Sequence, residues 1–378
     1  MTLSSSDVLE LRCWAEIDLE ALRENARTCS RLAGDHCRIM AIVKADAYGH
    51  GLEKVVTALT GEVDWFGVAN VKEAQRARIA SGSNIPVLIL SPPTPIEIEA
   101  IVSGQFSASI SSHEEVEAFA IAAARLGIEA RLHAVADTGM GRMGAQGEAY
   151  LDLVETITST SGCVLEGVET HFPSADEEPD FTSDQIRRFK ELIDQTKAPG
   201  GCEIHLGNSA GLLGFHEETT FATLTRPGLA LYGISPLEQT EAVLHPALSL
   251  KSRITLVRKI PEGTSISYGR TFVADQPMTV ATLGLGYGDG YPRHLSGVGT
   301  DVLIRGQRCP LLGRVTMDQI VVDVSHLEKS PQSGEEVILI GEQGNEVITV
   351  EEMAEKAGTI PWEILTGITS RVERVYRG

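Results

Sequence analysis

One lysine stands at the end of an apolar run of strand length. The run Ile39–Val43 is followed by Lys44, by Tyr48 and by two glycines, Gly49 and Gly51. Burial in apolar surroundings lowers the pKa of an amine and makes it a usable nucleophile or proton carrier. Glycine lets backbone and phenol approach a ligand closely. A lone lysine at a strand end more often simply reaches water, but this combination predicts a site.

Polar motifs also follow four later strand-like runs. Taken singly, each has a structural interpretation: His171 as a core histidine, Arg226 as an ion-pair partner, Asn208 with Ser209 as a helix cap. If the runs are strands of one barrel, however, their carboxyl ends meet on one rim, where ligands bind. Their joint occurrence predicts one site. The motifs are Asp137–Arg142, Thr170–Phe172, His205–Ser209 and Arg226–Gly228.

The elements that must position these residues alternate between strand-like and amphipathic patterns. Eight strands at βα spacing predict an α/β fold, a closed (β/α)8 or TIM barrel over residues 14–240. An open doubly wound sheet is the alternative, disfavoured because no G-x-G-x-x-G follows the first strand. The candidate strands are Ile39–Val43, Trp65–Ala69, Val87–Leu90, Phe106–Ile110, Ala130–Val135, Val164–Thr170, Glu203–Leu206 and Ala222–Thr225.

The pattern changes beyond Pro236, where β-rich runs with Gly and Pro punctuation replace the long helical stretches. This predicts a mainly antiparallel β-rich C-terminal domain over residues 241–378, joined by a linker near 237–244. Residues 1–13 read as a flexible tail. The strand-like runs are Leu248–Ile260, Met278–Leu285, Val302–Ile304, Gln319–Val324 and Glu336–Ile340, and the helical ones are Val350–Lys356 and Trp362–Leu365.

Composition excludes several classes of function. The net charge of −20 disfavours nucleic acid and anionic membrane surfaces. The sequence contains no run of about 18 apolar residues, so a membrane-spanning helix is not expected. The six cysteines are scattered and form no C-x-x-C pair, so neither a disulfide scaffold nor a metal site is expected. This cysteine usage favours a cytoplasmic location.

The chemistry of the rim matches one cofactor. Phosphate sites in such barrels use the loops after the last two strands, where Ser209 offers a hydroxyl and Gly228 an open backbone donor. Pyridoxal 5′-phosphate (PLP) needs such a phosphate site, a lysine for covalent attachment and a side chain facing its pyridine nitrogen. Arg226 suits the last role and, as a permanent cation, would leave that nitrogen unprotonated.

The segment Ala41–Gly51 resembles the PLP-attachment signature of alanine racemases, and the likeness extends over nearly the whole chain. The most specific motifs are this segment and Met317–Gln319. The others are Asp137–Arg142, Thr170–Phe172, Asn208-Ser209, Arg226–Gly233, Ser267–Gly269 and Gly286–Gly290.

The resemblance implies a role for individual residues. Lys44 would carry the cofactor and act as a base on one face of the substrate, and Tyr268 of the partner subunit would act on the other. A homodimer would thus complete each site in trans. Arg142 would contact the substrate carboxylate, with Met317 of the partner subunit. The remaining cofactor-binding positions are Tyr48, His171, Asn208, Ser209, Arg226, Gly228 and Leu229.

Three positions depart from the family pattern. Many relatives carry a carbamylated lysine where Val135 stands, so a bound anion or a neighbouring acid would have to orient Arg142 instead. Relatives often place a phosphate-contacting tyrosine where Trp362 stands, and Trp362 offers one indole N–H and no hydroxyl. Thr316 replaces a frequent cysteine.

The resulting hypothesis is a PLP-dependent racemase that interconverts L- and D-alanine and supplies D-alanine for peptidoglycan. A broad amino-acid or serine racemase is the alternative that the three departures keep open. A decarboxylase on the same plan would favour an acidic partner for the pyridine nitrogen, which Arg226 is not. A non-catalytic PLP-binding protein would have no use for Tyr268 or the second domain.

Overall fold

The computed structural model describes residues 10–82, 85–196 and 198–378. These residues fold into two units. One unit contains Ala21–Ala47 and Leu52–His245, and the other contains residues 10–20, Tyr48–Gly51 and Pro246–Gly378. Residues 1–9 of the predicted tail lie outside the described residues, and its last residue, Cys13, begins a strand.

Eight parallel strands close into a barrel in the first unit, as predicted. They are β2 (Arg38–Ile42), β3 (Trp65–Val68), β4 (Val87–Ile89), β5 (Ser107–Ile110), β6 (Ala130–Val135), β7 (Cys163–Glu169), β8 (Glu203–His205) and β9 (Leu224–Thr225). The sheet closes because β2 pairs with both β3 and β9, with Ile39 opposite Thr225. Closure excludes the open doubly wound alternative.

The helices alternate with these strands. They are α1 (Leu19–Ala33), α2 (Leu52–Leu59), α3 (Val71–Ser81), α4 (Ile98–Ser103), α5 (His113–Leu126), α6 (Gly147–Ser159), α7 (Pro179–Gln195) and α8 (Ser209–Phe215). Ser112 caps α5 in a capping box with Glu115. Helix α7 begins at Pro179, which the first helical turn accepts because no N–H is needed there.

The second unit is built on a mainly antiparallel sheet of nine strands. They are β1 (Cys13–Asp18), β10 (Leu248–Ile260), β13 (Met278–Leu283), β14 (Asp301–Ile304), β15 (Gln307–Leu312), β16 (Ile320–Asp323), β17 (Glu336–Gln343), β18 (Glu346–Ile348) and β19 (Glu373–Arg377), beside the short pair β11 (Ser265–Ile266) and β12 (Phe272–Val273). Two helices follow β18, α9 (Val350–Ala357) and α10 (Pro361–Gly367). No helix in the described ranges has both the length and the apolar character needed to cross a bilayer.

Two segments depart from the sequence-based division at residues 14 and 240. Strand β1 lies in the nine-stranded sheet, where Trp14 pairs with Lys251 of β10 and Glu373 of β19. These partners are distant in sequence, so local pattern does not reveal them. The segment Tyr48–Gly51 also belongs to this unit.

Candidate active site

Lys44 follows β2 and begins a left-handed turn. Ala45, Asp46 and Ala47 have φ of 51, 53 and 54° and ψ of 52, 45 and 53°, and Tyr48 has φ of 51°. A left-handed conformation costs a residue with a Cβ about 1–2 kcal/mol. Such strain persists only where surrounding contacts impose it, and it clusters at functional sites.

Two carboxylates hold the turn. Glu73 accepts a hydrogen bond from the N–H of Ala45 at 2.8 Å. Asp46 accepts one from the N–H of Leu52, the first residue of α2, at 3.1 Å, and it is paired with Arg76 at 2.7 Å. The turn thereby fixes the direction in which the preceding lysine leaves the strand.

The environment of Lys44 destabilises its charge. Burial is the largest cause that lowers the pKa of the amine, and the positive charges of Arg142 and Arg226 lower it further. Glu73 opposes this shift only in part. A larger fraction of the amine is therefore neutral near pH 7, as a nucleophile or base requires.

Arg226 follows β9 and is buried, and both terminal nitrogens of its guanidinium form hydrogen bonds. Nη1 donates to Nδ1 of His205 at 2.6 Å, and Nη2 donates to the carbonyl of Thr170 at 2.6 Å and to Nδ1 of His171 at 3.2 Å. Glu169 supplies the compensating charge, with Oε2 3.5 Å from Nη1. A cation held in this way is fixed in position.

The contact between Arg226 and His205 sets the tautomer of His205 and the direction of its hydrogen bond to His133. Arginine has no acceptor, so Nδ1 of His205 must accept and the proton of His205 must lie on Nε2. Nε2 of His205 lies 2.7 Å from Nδ1 of His133, whose own Nε2 faces Glu166 at 3.4 Å. Burial, followed by Arg226 and His133, holds the pKa of His205 well below its usual range. His205 is therefore neutral, accepts a hydrogen bond from Arg226 and donates one to His133.

His171 is also held neutral. Burial first, and then the charges of Arg226, Arg142 and Lys44, lower its pKa to about 3. Its Nδ1 accepts from Arg226, which leaves the proton on Nε2. The imidazole is therefore a hydrogen-bond donor on its other side at neutral pH.

The loop before α8 and the turn after β9 meet at Ser209. Its Oγ accepts hydrogen bonds from the N–H of Gly228 at 2.9 Å and of Ala230 at 3.1 Å. Leu229, predicted to contribute here, lies buried between these two donors. Because both bonds use the oxygen of Ser209, its own proton is left to donate to an anion.

The side chain of Asn208 has a structural role. Its Oδ1 accepts from the N–H of Gly211 at 2.9 Å, and its Nδ2 donates to the carbonyl of Phe172 at 3.3 Å. It thus caps α8 and ties this helix to the loop after β7. The helix-cap interpretation made from the sequence is confirmed.

Arg142 lies exposed on a loop that one carboxylate organises. Oδ1 of Asp137 accepts from the N–H of Gly139 at 3.1 Å and of Gly141 at 3.0 Å, and Oδ2 accepts from Nε2 of Gln146 at 2.8 Å. These bonds outweigh the effect of burial, which alone would raise the pKa of the Asp137 carboxyl, and the pKa is lowered.

Val135, where many relatives carry a carbamylated lysine, is buried and packs against the backbone of Gly144. Within residues 10–82, 85–196 and 198–378, no carboxylate forms an ion pair with Arg142.

Three predicted residues belong to the other unit. Tyr48 is buried, and its phenol accepts a hydrogen bond from the indole of Trp362. Tyr268 and Met317 are 71% and 51% exposed. Tyr268 follows Ser267, whose φ is 63° and whose Oγ donates to the carbonyl of Arg314 at 2.6 Å. A strained turn thus presents a large aromatic side chain to the outside.

Sequence reasoning missed the polar interior of the barrel. Beside the histidines, Ser107 donates to Glu166 and Ser109 donates to Glu169. The sequence did contain a signal, namely polar residues two positions apart in otherwise apolar strand runs. Such residues share one face of a strand, so they indicate that this face of the barrel is polar.

The arrangement fits PLP. Lys44 supplies an amine with a lowered pKa, Ser209 a hydroxyl held by two backbone N–H groups, and Arg226 a fixed cation. These are the parts that the cofactor needs for attachment, for its phosphate and for its pyridine nitrogen.

Comparison with known proteins gives one family over nearly the whole chain. The family profiles described as "Alanine racemase, N-terminal domain" and "Alanine racemase, C-terminal domain" match residues 17–236 and 247–376. The alanine racemase of Halothermothrix orenii is 38% identical over 370 residues, which are 96% of each chain.

Solved structures agree. The alanine racemase of Streptomyces coelicolor A3(2) is similar with a TM-score of 0.90 and 34% identity, over 98% of this chain and 99% of that one. The alanine racemase of Bartonella henselae, solved with covalently bound pyridoxal phosphate, has a TM-score of 0.87 and 28% identity, over 97% of this chain and 100% of that one.

Proposed function

The chain belongs to the alanine racemase family, and from this premise we propose that it interconverts L- and D-alanine with PLP held by Lys44. The family profiles and relatives confirm the resemblance to alanine racemases that the sequence motifs indicated. Members of this family are PLP-dependent isomerases. The observation that carries the proposal is the half-buried lysine that follows β2, whose positive charge is opposed by those of Arg142 and Arg226.

PLP, when bound, withdraws electrons from the substrate Cα and so acidifies its C–H bond. The residues of the chain would hold it at both ends. Ser209, whose hydroxyl is oriented by the N–H groups of Gly228 and Ala230, would bind its phosphate together with Tyr48. Arg226 would face its pyridine nitrogen and, because it has no proton to give up near neutral pH, would leave that nitrogen unprotonated. A weaker electron sink disfavours competing reactions.

Racemisation removes a proton from one face of Cα and returns one to the other. Two fixed bases need only exchange roles, whereas a single base would have to cross the ring. We assign these roles to the Nζ of Lys44 and to the phenol of Tyr268 of the partner subunit. Arg142 would hold the substrate carboxylate through charge-assisted hydrogen bonds, together with Met317 of the partner subunit.

The exposure of Tyr268 and Met317 supports a homodimer. A tyrosine that is 71% exposed on a strained turn has the geometry of a side chain that reaches into a second copy. Each active site would then be complete only in trans, and a monomer would be inactive.

A broader racemase that also accepts serine is the second candidate. It is favoured by Trp362 and Thr316, which replace the residues frequent in the family at those positions. The hydroxyl of Thr316 donates a hydrogen bond to the carbonyl of Gln319 at 2.7 Å. This hydroxyl is therefore already used within its own loop, which favours an alanine racemase over a racemase that also accepts serine.

We further propose that the product D-alanine supplies peptidoglycan synthesis in the cytoplasm. All six cysteines are free thiols, which supports a reducing compartment.

The test is racemisation of L-alanine and L-serine by the purified protein with PLP in deuterated water. D-alanine with deuterium at Cα and little D-serine supports the proposal, and comparable rates on both support the broad racemase. The variant Lys44→Ala should lose covalent PLP after borohydride reduction, with the exposed Lys72→Ala as control. Bound PLP without Cα exchange on any amino acid would contradict a racemase.

A further inference from the structure

The barrel strand β7 carries one extra residue, and that residue is Glu166. Leu165 of β7 lies opposite Leu132 of β6, and Gly167 lies opposite His133, so Glu166 is the inserted residue of a β-bulge. Bulges redirect side chains and are common next to active sites. Here the bulge changes the face of the sheet to which Glu166 belongs.

The bulge brings two carboxylates of β7 to one face. Glu166 and Glu169 are three positions apart, and residues at this spacing in a regular strand point to opposite faces. Their hydroxyl donors, Ser107 and Ser109 of β5, are two positions apart and share a face. Without the extra residue, only one of the two carboxylates could meet its serine.

Gly167 makes room for the imidazole of His133 beside this carboxylate. A Cβ on Gly167 would overlap Nδ1 of His133, so a larger residue there would displace the ring. The buried ring also packs against Trp65, with 5.5 Å between the ring centroids and 74° between the planes. Packing thus fixes the position of the imidazole next to the bulge.

The hydrogen bonds between Arg226 and Glu166 can run in only one direction. Arg226 donates to Nδ1 of His205, so the proton of His205 lies on Nε2 and is donated to Nδ1 of His133 at 2.7 Å. Nδ1 of His133 must therefore be unprotonated, and the proton of this imidazole lies on Nε2, 3.4 Å from Oε2 of Glu166. Every donor in this chain points toward Glu166.

Glu166 ends the chain as a carboxylate. Its Oε1 accepts from Nη1 of Arg131 at 3.1 Å, and its Oε2 also accepts from Ser107. Burial alone would raise the pKa of Glu166, but the hydrogen bonds of His133 and Ser107 and the charge of Arg131 lower it. An ionised acceptor strengthens the bond that it receives and polarises the bonds before it.

We propose that Glu166 is a positioning residue, which acts through His133 and His205 to fix Arg226 for the cofactor nitrogen. This inference rests on the proposed function, since it takes PLP as the group that Arg226 faces. Because arginine has no lone pair with which to accept a proton, the chain orders Arg226 without conducting protons to the cofactor.

Removing the acceptor would release the order of the protons. Without Glu166, His133 gains by carrying its proton on Nδ1, since a buried donor that lacks an acceptor is costly. That proton would face Nε2 of His205 and move the proton of His205 to Nδ1, where it would meet the N–H of Arg226. Two donors would then repel each other, and Arg226 would leave its position.

The experiment reads the order of the protons by ¹⁵N NMR, with histidine and the pyridine nitrogen of PLP labelled. His133→Asn and His205→Asn assign the signals. In the wild type, both imidazoles should be protonated on Nε2 alone, in the apoprotein and in the holoenzyme. In Glu166→Leu, signals protonated on Nδ1 should appear, and the pyridine nitrogen signal should shift because its contact with Arg226 weakens. The kcat should fall roughly tenfold, the value of one hydrogen bond, with little change in KM.

Glu166→Gln is the conservative variant, because its carbonyl oxygen can still accept from His133. It should retain the wild-type signals and most of kcat. Glu203→Leu is the matched control. Glu203 is a buried carboxylate of β8 that pairs with Arg38 and accepts from Oγ1 of Thr223 at 2.7 Å, but it is not part of the chain. Its replacement should lower stability and leave the imidazole and pyridine signals unchanged.

Three outcomes would overturn the inference while the proposed function stands. The first is a wild-type His205 protonated on Nδ1, and the second is a pyridine nitrogen signal in Glu166→Leu that equals that of the wild type. The third is an equal effect of Glu166→Gln and Glu166→Leu, because charge rather than the direction of the hydrogen bonds would then matter. A protein that binds no PLP would overturn the proposed function and this inference with it.

Discussion

Nη1 of Arg226 lies 2.6 Å from Nδ1 of His205 inside the barrel, and this single contact orders a chain of buried groups. Because the guanidinium can only donate, the proton of His205 is forced onto Nε2 and toward His133. The cation assigned to the cofactor nitrogen is therefore held by the neutral imidazole of His205, with Glu169 as its counter-charge.

Removing the acceptor at position 205 should destabilise the protein. His205→Leu leaves Nη1 of Arg226 without its shortest partner in a buried site and should lower the free energy of unfolding by about 3 kcal/mol. His205→Gln keeps a carbonyl for Arg226 and an amide N–H for His133, and should cost less than half as much. Urea unfolding of the apoprotein measures both. Equal losses in the two variants would show that packing, rather than the hydrogen bonds, explains the role of His205.

Stability should fall as pH drops below about 6.5. His205 and His171 stay neutral in the native state because their pKa values are lowered, that of His171 to about 3, whereas in the unfolded chain both are protonated below about 6.5. The unfolded state then binds more protons, so stability rises with pH in this range. Each histidine should contribute a slope of about 1.4 kcal/mol per pH unit toward pH 4.5.

The control for this slope is His171→Phe, which removes one of the two titrating groups. The free energy of unfolding of the apoprotein, measured with urea between pH 4.5 and 7.5, should depend less steeply on pH in this variant. The difference in slope should correspond to the uptake of one proton fewer on unfolding. An unchanged slope would mean that His171 is protonated in the native state. Below pH 4.5 the lowered pKa of carboxyls such as Glu352 adds its own loss, so the comparison is confined to the range above.

The barrel could be predicted from the sequence because its strands are buried on both faces. Apolar runs such as Val87–Leu90 mark the strands to within one or two residues, and polar residues at their ends mark the rim. The role of His133 could not be predicted in this way, because its partners lie on other strands. His205, Glu166 and Glu169 are on neighbouring strands, which only the closed sheet brings together.

Two other features could not have been read from local pattern. Ala45 and Ala47 are helix formers, and their left-handed conformation is imposed by Glu73 and other neighbours rather than by propensity. The bond between Trp362 and Tyr48 joins residues more than 300 positions apart. The sequence showed that Trp362 was unusual, but the partner of its indole required the fold.

Tyr268→Phe should retain bound PLP and its absorbance while losing racemisation. General acid–base catalysis by one positioned group contributes roughly 10²- to 10⁴-fold, and a loss within this range is expected in both directions. Exchange of the Cα proton of one enantiomer with solvent should survive, because Lys44 still serves one face. Racemisation that stays within threefold of the wild-type rate would contradict the two-base assignment.

Mixing two inactive variants tests the site in trans. A heterodimer of Lys44→Ala and Tyr268→Phe subunits has one site with both bases intact and one site with neither. Random exchange of subunits makes half of the dimers heterodimers, so the mixture should recover about a quarter of wild-type activity. Each variant alone remains inactive and is the control. No recovery after exchange, verified by mass spectrometry of the dimers, would place both bases in one subunit.

Asp137 should control substrate binding through the loop of Arg142. Asp137→Asn places an amide N–H₂ opposite the amide of Gln146, so two donors meet where one acceptor stood at 2.8 Å. The loop loses a charge-assisted bond and faces a repulsive contact, and the KM for alanine should rise roughly tenfold with a smaller change in kcat. Gln146→Ala, which removes the same bond without adding a donor, should have a weaker effect.

The paired change Asp137→Asn with Gln146→Glu restores a donor–acceptor pair in the reverse sense and should bring the KM most of the way back to the wild-type value. A double variant no better than Asp137→Asn alone would mean that the carboxylate acts through its charge on Arg142 rather than through the shape of the loop.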